Sequence, residues 1–174
     1  MPTLHACPLS RLHETVAATG ASHLVTLATI GTVMERPASI DPARHLTLGV
    51  SDISAPMVDH VLPAEAHVRA LLDFLREWDR EHPLVIHCYA GISRSTAALY
   101  TAVCALRPDR DEGEVAGALR RLSPPATPNR LIVEIADGLL GRDGRMIAAI
   151  AGIGRGAEAY EGTPFTLPLA STSW

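Results

Sequence analysis

The sequence predicts a single α/β domain in which helices flank a central, mainly parallel sheet of about four or five strands. The chain has 174 residues, 47% of them hydrophobic, which fits one globular domain over residues 1–174. Short apolar segments alternate along it with longer segments whose apolar residues recur every three or four positions. This alternation of strand and helix patterns is typical of the α/β class.

Four segments have the pattern of strands: residues 4–9, 23–29, 45–50 and 83–86. The last of them, Pro83-Leu84-Val85-Ile86, is apolar throughout, as expected for a strand that is buried on both faces. We therefore take it as the most buried of the predicted strands.

Helices are predicted over residues 10–20, 63–78, 95–106, 110–122 and 129–140, with a short last helix over 146–153. The helix at 63–78 is the clearest, because Val68, Leu71, Leu72, Leu75 and Trp78 form one apolar stripe. The helix at 95–106 contains no charged residue and is predicted to lie inside the domain. Residues 154–174 are expected to form a loosely ordered tail.

The charge pattern argues against nucleic acid or a membrane as the main partner. The net charge is −4, and the 15 basic residues, all Arg, are scattered rather than gathered on one segment. No basic segment precedes an apolar run at the start, so no signal peptide is predicted. Three cysteines, an odd number, indicate free thiols in a reducing cytoplasm.

One loop contains the residues best suited to chemistry. It joins the most buried predicted strand to the most buried predicted helix, and it reads His87-Cys88-Tyr89-Ala90-Gly91-Ile92-Ser93-Arg94-Ser95. Backbone N–H groups of such a turn, with those of the following helix, form a concave anion site. Gly91 permits the backbone geometry of that site, and Arg94 offers two donors in one plane for two phosphate oxygens. The sequence therefore predicts a phosphate-binding loop.

Cys88 lies in this loop as the candidate nucleophile. The N–H dipoles and the Arg94 charge that attract phosphate also stabilise a thiolate. Ser95 can donate a hydrogen bond to the sulfur when it later departs from phosphorus. One loop is therefore expected to bind the substrate and to activate the attacking group.

These nine residues resemble the signature of the protein tyrosine phosphatase superfamily, His-Cys, five residues, then Arg-Ser or Arg-Thr. The form His-Cys-x-Ala-Gly-x-Ser-Arg-Ser is most similar to the dual-specificity branch, and a looser resemblance extends over residues 45–140. The resemblance implies hydrolysis of phosphate monoesters through a cysteinyl-phosphate, without metal or cofactor. It also implies that His87 orients the loop and that Tyr89, Ala90, Gly91, Ile92 and Ser93 contact the substrate.

In the resembling family an Asp protonates the leaving group from a loop some thirty to forty residues before the Cys. Asp52 lies 36 positions upstream of Cys88, and Asp59 lies 29 positions upstream. Asp52 is preferred because it follows the strand at 45–50, which matches the family's order of strand, Asp, loop and helix. Asp59 is nearer the next helix, where a capping role is the alternative.

Several alternatives stay open from the sequence. A phosphoprotein carrying phosphotyrosine, and also phosphoserine or phosphothreonine, is the leading substrate, and a nucleotide or inositol phosphate is the second. Tyr89 and Ile92 stand where phosphoinositide phosphatases of the superfamily often carry Lys, which weakens a lipid substrate. A non-catalytic phosphate-binding module and a sulfur-transfer protein are the other classes.

Three further interpretations concern the remaining Cys and His residues. Cys7 and Cys104 are interpreted as packing residues, with Cys7 as a redox partner of Cys88 in the sharper alternative. His82, His87 and Cys88 lack a second Cys/His pair at suitable spacing, so no metal site is predicted.

Overall fold

The structure, a computed structural model, describes residues 3–170. Within them five strands form one sheet in the order β3-β2-β4-β1-β5. The strands are β1 (Thr3–Pro8), β2 (His23–Ala28), β3 (His45–Gly49), β4 (Leu84–Cys88) and β5 (Phe165–Pro168). Strands β1 to β4 run parallel and β5 is antiparallel to β1. The predicted fold class is confirmed, with β4 in the middle of the sheet.

Six α-helices accompany the sheet within the same residues, and the predicted bounds of each agree with the structure to within two residues at either end. They are α1 (Leu12–Thr19), α2 (Glu65–Glu77), α3 (Arg94–Leu106), α4 (Glu112–Leu122), α5 (Arg130–Leu139) and α6 (Arg145–Ile153). Helix α3 is buried from Arg94 to Cys104, which confirms its predicted place inside the domain. In the described part of the chain no helix is long and apolar enough to cross a membrane.

Strand β4 separates two hydrophobic cores because its side chains alternate between the faces of the sheet. Leu84 and Ile86 pack with residues of α2 to α6 in the larger core. Val85 packs on the other face with Leu12 and Val16 of α1. Burial on both faces explains why this strand reads as a continuous apolar run.

The parallel strands β1 to β4 all end at one edge of the sheet, here called the carboxyl edge. The loops that leave β2, β3 and β4 at this edge begin at residues 29, 50 and 89. Ligands of open α/β sheets bind where such loops meet. The architecture therefore brings the predicted phosphate-binding loop to the expected position.

The expectation of a loosely ordered tail is wrong for residues 154–170. Strand β5 pairs with β1, with Leu167 opposite Leu4, and Phe165 and Leu167 are buried. The error has a physical reason, since an alternation of only four residues is too short to stand out in a sequence. Residues 171–174 of the predicted tail lie outside the described residues.

Residues 154–164, which connect α6 to β5, form a segment that we call the C-terminal strap. Near its start, the Ala157 N–H donates to the Pro124 carbonyl oxygen at 3.0 Å. Near its end, the Gly162 N–H donates to the Ala90 carbonyl oxygen at 2.8 Å. The strap is therefore fixed at both ends to the carboxyl edge.

Candidate active site

The loop between β4 and α3, here called the cysteine loop (residues 88–94), turns its carbonyl oxygens outward. They accept N–H groups from elsewhere in the chain: Tyr89 from Leu9 (3.1 Å), Ala90 from Gly162 (2.8 Å), Ile92 from Thr127 (2.9 Å) and Ser93 from Asn129 (3.2 Å). In a trans peptide unit the C=O and the following N–H point in opposite directions, and residues 3–170 contain no cis peptide bond. The N–H groups of Ala90, Gly91, Ser93 and Arg94 therefore point into the loop.

Gly91 is required by this geometry. Its φ is +69°, a left-handed value that other residues adopt at a cost. A Cβ atom here would lie 2.7 Å from the Pro8 nitrogen and 2.9 Å from the Cys7 carbonyl carbon. The loop packs so closely against the end of β1 that no side chain fits at this position.

Cys88 lies at the base of the loop, with 3% of its surface exposed. Its Sγ accepts a hydrogen bond from the Gly91 N–H at 3.3 Å and lies 3.1 Å from the Ser95 Oγ. Both groups can donate to a negatively charged sulfur. The structure thus brings Cys88, Gly91 and Ser95 together as the sequence predicted, while their chemical roles remain predictions.

Arg94 is buried in the first turn of α3, and part of its guanidinium is held by the two neighbouring loops. Its Nη1 donates to the Val50 carbonyl oxygen at 2.8 Å and to the Thr29 Oγ1 at 3.3 Å. Its Nε is also buried but has no acceptor within the described residues. Buried donors without an acceptor are rare in folded proteins, so this Nε is available to a bound anion.

Asp52 is docked onto the cysteine loop. Its Oδ1 accepts hydrogen bonds from the Ser93 Oγ at 2.6 Å and from the Asn129 Nδ2 at 2.9 Å. Asp59, in the same β3–α2 loop, is exposed, has a φ of +61°, and makes no recorded side-chain hydrogen bond to the cysteine loop within residues 3–170. Nor does Asp59 cap α2, whose N-cap is Ala64. The geometry therefore favours Asp52 over Asp59 as the candidate acid.

His87 is the first residue of a hydrogen-bonded chain behind the loop. Its Nε2 lies 2.7 Å from the Thr26 Oγ1, which in turn lies 2.8 Å from the Nε2 of His45. Burial lowers the pKa of the His87 imidazole to about 4, so the ring is neutral at pH 7. A neutral, inaccessible imidazole fits the predicted orienting role better than the role of a base.

The two other cysteines are distinct from Cys88 in position and chemistry. Burial raises the pKa of both the Cys7 and the Cys104 thiol to about 12. Cys7 packs with Leu12 and Val16 on the face of the sheet opposite to the larger core that contains Cys88. This arrangement supports packing roles and weakens the interpretation of Cys7 as a redox partner of Cys88.

The remaining predicted contact residues lie around the mouth of the loop. Tyr89 is 59% exposed and Ala90 is half-buried. Ile92 and Ser93 line a pocket of about 710 Å³ beside the loop. Its other walls are Asp52, Pro125 and Thr127, together with residues 155–160 of the strap.

Sequence reasoning missed Asn129 as a site residue. It is the chain's only Asn, and it follows Pro128 at the start of α5, which signals a helix cap. Its Nδ2 also donates to Asp52 and to the Ile53 carbonyl oxygen at 3.1 Å. Nothing near Asn129 in the sequence indicates this contact, because Asp52 is 77 residues away. Thr26 and Gly162 were missed for the same reason.

Among residues 3–170, no three His, Cys, Asp or Glu side chains come close enough together to hold a metal ion. The positive charge and the donors described for the site come from Arg94 and the backbone.

Comparison with known proteins adds structural relatives. The sequence matches no protein-family model and no curated protein. The structure is similar to that of the Cydia pomonella PTP-2 phosphatase, with a TM-score of 0.61, 17% identity, and coverage of 78% of this chain and 84% of that one. It is similar to human DUSP28, with a TM-score of 0.60, 17% identity, and coverage of 80% and 88%.

A third similar structure is PTPMT1 in complex with PI(5)P, with a TM-score of 0.59, 16% identity, and coverage of 84% of this chain and 91% of that one. Identities this low show the fold alone. The chain has the fold of the protein tyrosine phosphatase superfamily, as the cysteine-loop residues implied.

Proposed function

We propose that this protein is a phosphatase that hydrolyses phosphate monoesters through a cysteinyl-phosphate intermediate. The observation that carries the proposal is the cysteine loop, in which the Gly91 N–H donates to the Cys88 sulfur at 3.3 Å and the Arg94 Nε is buried without an acceptor among the described residues. Such a site binds the phosphate dianion and stabilises the charge that develops as phosphorus is transferred. These donors do the work that a metal ion does in other phosphatases.

In the first step, the loop N–H groups and Arg94 hold the non-bridging phosphate oxygens. The Cys88 sulfur attacks phosphorus, and the bond from phosphorus to the ester oxygen breaks. Asp52 gives its proton to the departing oxygen, a contribution that is typically worth ~10² to 10⁴ in rate. The Ser93 and Asn129 donors both lie on Oδ1, which leaves Oδ2 as the oxygen that faces the proton transfer in this proposal.

In the second step, water attacks phosphorus and the bond between sulfur and phosphorus breaks. Asp52, now ionised, accepts the proton of the attacking water. Ser95, with its Oγ 3.1 Å from the sulfur, donates a hydrogen bond to the departing thiolate. Phosphate leaves and the starting protonation states are restored.

The substrate that fits best is a phosphoprotein, with phosphotyrosine ahead of phosphoserine and phosphothreonine. Cys88 and Arg94 are only 3% and 6% exposed, so the phosphorus must enter below the surface of the loop. A phenyl ring carries phosphorus further from a peptide backbone than a serine or threonine side chain does. A small soluble phosphate is the second candidate, since the pocket beside the loop also has room for one.

The docked Asp52 argues against a non-catalytic module that only captures phosphorylated partners. Binding of a phosphorylated partner needs the N–H groups of the cysteine loop and Arg94, but it does not need a carboxylic acid held 2.6 Å from the Ser93 Oγ. A sulfur-transfer protein likewise has no use for an acid at this place.

The test is the hydrolysis of an aryl phosphate by the wild type and by Cys88→Ser. We expect Cys88→Ser to lose turnover but to retain binding of phosphate or vanadate, while Cys7→Ser and Cys104→Ser stay active. The wild type should be inhibited by vanadate and unaffected by a chelator. Turnover by Cys88→Ser above about one per cent of the wild-type rate, or a chelator-sensitive rate restored by added metal, would contradict the mechanism.

A further inference from the structure

Exposed apolar side chains gather around the cysteine loop. Among residues 3–170, seven large apolar or aromatic side chains are exposed, and all but Leu122 belong to segments at the carboxyl edge. We call these six the apolar rim: Ile30, Val33, Met57, Val58, Tyr89 and Tyr160. Several are almost fully exposed, with Val33 at 93% and Tyr160 at 88%. Exposed apolar groups concentrated at one place mark an interaction surface.

The segments that carry the apolar rim touch the cysteine loop directly. The β2–β3 loop contacts Arg94 through Thr29, next to Ile30 in the chain. The β3–α2 loop, which carries Met57 and Val58, contacts Ser93 through Asp52. The strap contacts Ala90 through Gly162, two residues after Tyr160. A molecule whose phosphate is in the loop therefore meets this rim.

The same segments are acidic. Residues 29–36, 51–62, 88–94 and 154–164 contain five carboxyl groups, Glu35, Asp52, Asp59, Glu158 and Glu161, against three guanidiniums, Arg36, Arg94 and Arg155. Arg36 donates to the Ile40 carbonyl oxygen, and Arg155 lies 3.9 Å from Glu158. The surroundings of the loop thus attract basic groups and repel additional phosphates or carboxylates.

The 710 Å³ pocket lies between the cysteine loop and the strap, and its walls include Ile92, Pro125, Ala157, Ala159 and Tyr160. This volume is within the usual range of small-ligand sites and exceeds what a phosphate needs. The strap side of the pocket is rigidly built, since a Cβ at Gly156 would lie 2.5 Å from the Pro125 carbonyl. The lining also includes the polar side chains of Asp52, Ser93, Arg155 and Glu158, and the pocket has room for a neighbouring side chain of a bound peptide.

We propose that this pocket binds an apolar side chain next to the phosphorylated residue of a protein, and that the acidic rim selects segments with basic neighbours. This inference rests on the proposed phosphatase function and names its substrate class. A multiply phosphorylated inositol, a nucleotide or an anionic membrane would place further negative charge against the rim carboxylates. The rim and the pocket together favour an extended phosphopeptide.

The experiment compares kcat/KM for two phosphotyrosine peptides, one with leucine and arginine neighbours and one with glutamate neighbours. An aryl phosphate and a phosphoinositide in phosphatidylcholine vesicles are measured in parallel. We expect the leucine–arginine peptide to exceed the glutamate peptide by about tenfold or more, since one apolar side chain in a pocket discriminates by 10-fold or more. The margin should shrink in high salt, because exposed charges are screened. Equal rates, a reversed preference, or the phosphoinositide as best substrate would overturn the inference.

Two variants with matched controls locate the effect. Tyr160→Ala should lower kcat/KM for the leucine–arginine peptide about fivefold to tenfold and leave the aryl phosphate unchanged, because only the peptide reaches the pocket. Leu122→Ala removes an exposed apolar side chain that does not line the pocket, and it should change neither rate. An equal loss on both substrates by Tyr160→Ala would contradict the pocket assignment.

Glu158→Arg should narrow the difference between the two peptides about threefold, and Glu77→Arg, at the far end of α2, should leave it intact. If Glu158→Arg has the same ratio of kcat/KM for the two peptides as the wild type, the charge of the rim does not contribute to the selectivity. Failure of the wild type to hydrolyse the aryl phosphate would refute the proposed function itself. Normal aryl phosphate hydrolysis with no difference between peptides would refute this inference alone.

Discussion

Replacing Asn129 with Ser separates two roles that this residue combines. Its Nδ2 donates to the Asp52 Oδ1 at 2.9 Å, and its Oδ1 caps α5 by accepting the Ile132 N–H at 3.2 Å. Ser caps a helix about as well as Asn does, but its shorter side chain cannot reach Asp52. Asn129→Ser should therefore loosen the acid and keep the helix.

The size of the effect follows from the hydrogen bond that is lost. A hydrogen bond to a protonated, neutral carboxyl group contributes ~0.5–1.5 kcal/mol, and ~1.4 kcal/mol corresponds to a factor of ten in rate. The Ser93 Oγ, 2.6 Å from the Asp52 Oδ1 in the wild type, is retained in the variant, so we expect at most about a tenfold loss. The free energy of unfolding should change by less than about 1 kcal/mol in Asn129→Ser, whereas Asn129→Ala should lose about 0.5–2 kcal/mol with its cap.

The assay is kcat/KM for a series of aryl phosphates with progressively poorer leaving groups. The loss should be largest for phenyl phosphate and small for leaving groups that are already stable anions, because only the former need a proton. Asp52→Asn should lose roughly 10² or more on phenyl phosphate, and adding Asn129→Ser to it should cost little more. Asp59→Asn should match the wild type throughout.

Two results would refute this reasoning. An equal loss of kcat/KM for all leaving groups would mean that Asn129 supports substrate binding or the shape of the cysteine loop rather than the position of Asp52. Additive losses in Asp52→Asn and Asn129→Ser would mean that the two residues act independently.

Two further predictions concern the loop and its support. Gly91→Ala should abolish activity and lower the free energy of unfolding by more than about 2 kcal/mol. The control is Gly20→Ala, which has a similar φ of +65° but no atom within 4 Å of the added Cβ; it should lower the free energy of unfolding by about 1–2 kcal/mol and stay active. Equal effects of the two substitutions would contradict the packing argument. Burial lowers the pKa of His87 to about 4 in the folded protein, whereas the pKa in the unfolded chain is about 6.5. Between these two pH values the unfolded chain binds a proton that the folded protein does not bind. His87 should therefore contribute stability against urea that is fully present above pH 6.5 and decreases by roughly 2–3 kcal/mol toward pH 4.5. His87→Asn should make the fall in the protein's free energy of unfolding over this range shallower, and an unchanged slope would contradict the argument.

The site residues that could be predicted from the sequence lie close together in it or at the ends of predicted strands. Cys88, Gly91, Arg94 and Ser95 could be identified as candidates because they lie within nine consecutive residues between a buried strand and a buried helix. Asp52 was identifiable because it follows the end of a strand, and parallel strands bring such positions to one edge.

What could not be predicted depends on contacts between distant residues. The contact of Asn129 with Asp52 joins two loops 77 residues apart, and neither loop contains a sign of the other. Strand β5 is too short for its alternation to be recognised, and its partner β1 lies at the other end of the chain. Because β5 was not predicted, the contact of the strap with the cysteine loop could not be predicted either.

The pairing of β1 with β5 has a consequence for biosynthesis. Strand β1 is translated before β5, so one edge of β1 is without its neighbour until Phe165–Pro168 has been made. The hydrogen bond to the Ala90 carbonyl oxygen likewise cannot form until Gly162 has been made. Pairings between such distant residues form late in folding because closing a long loop costs entropy. We therefore expect a ribosome-bound chain that ends before residue 157 to hold Cys88 in an incomplete cysteine loop, and activity to appear only after Gly162 and β5 have been made.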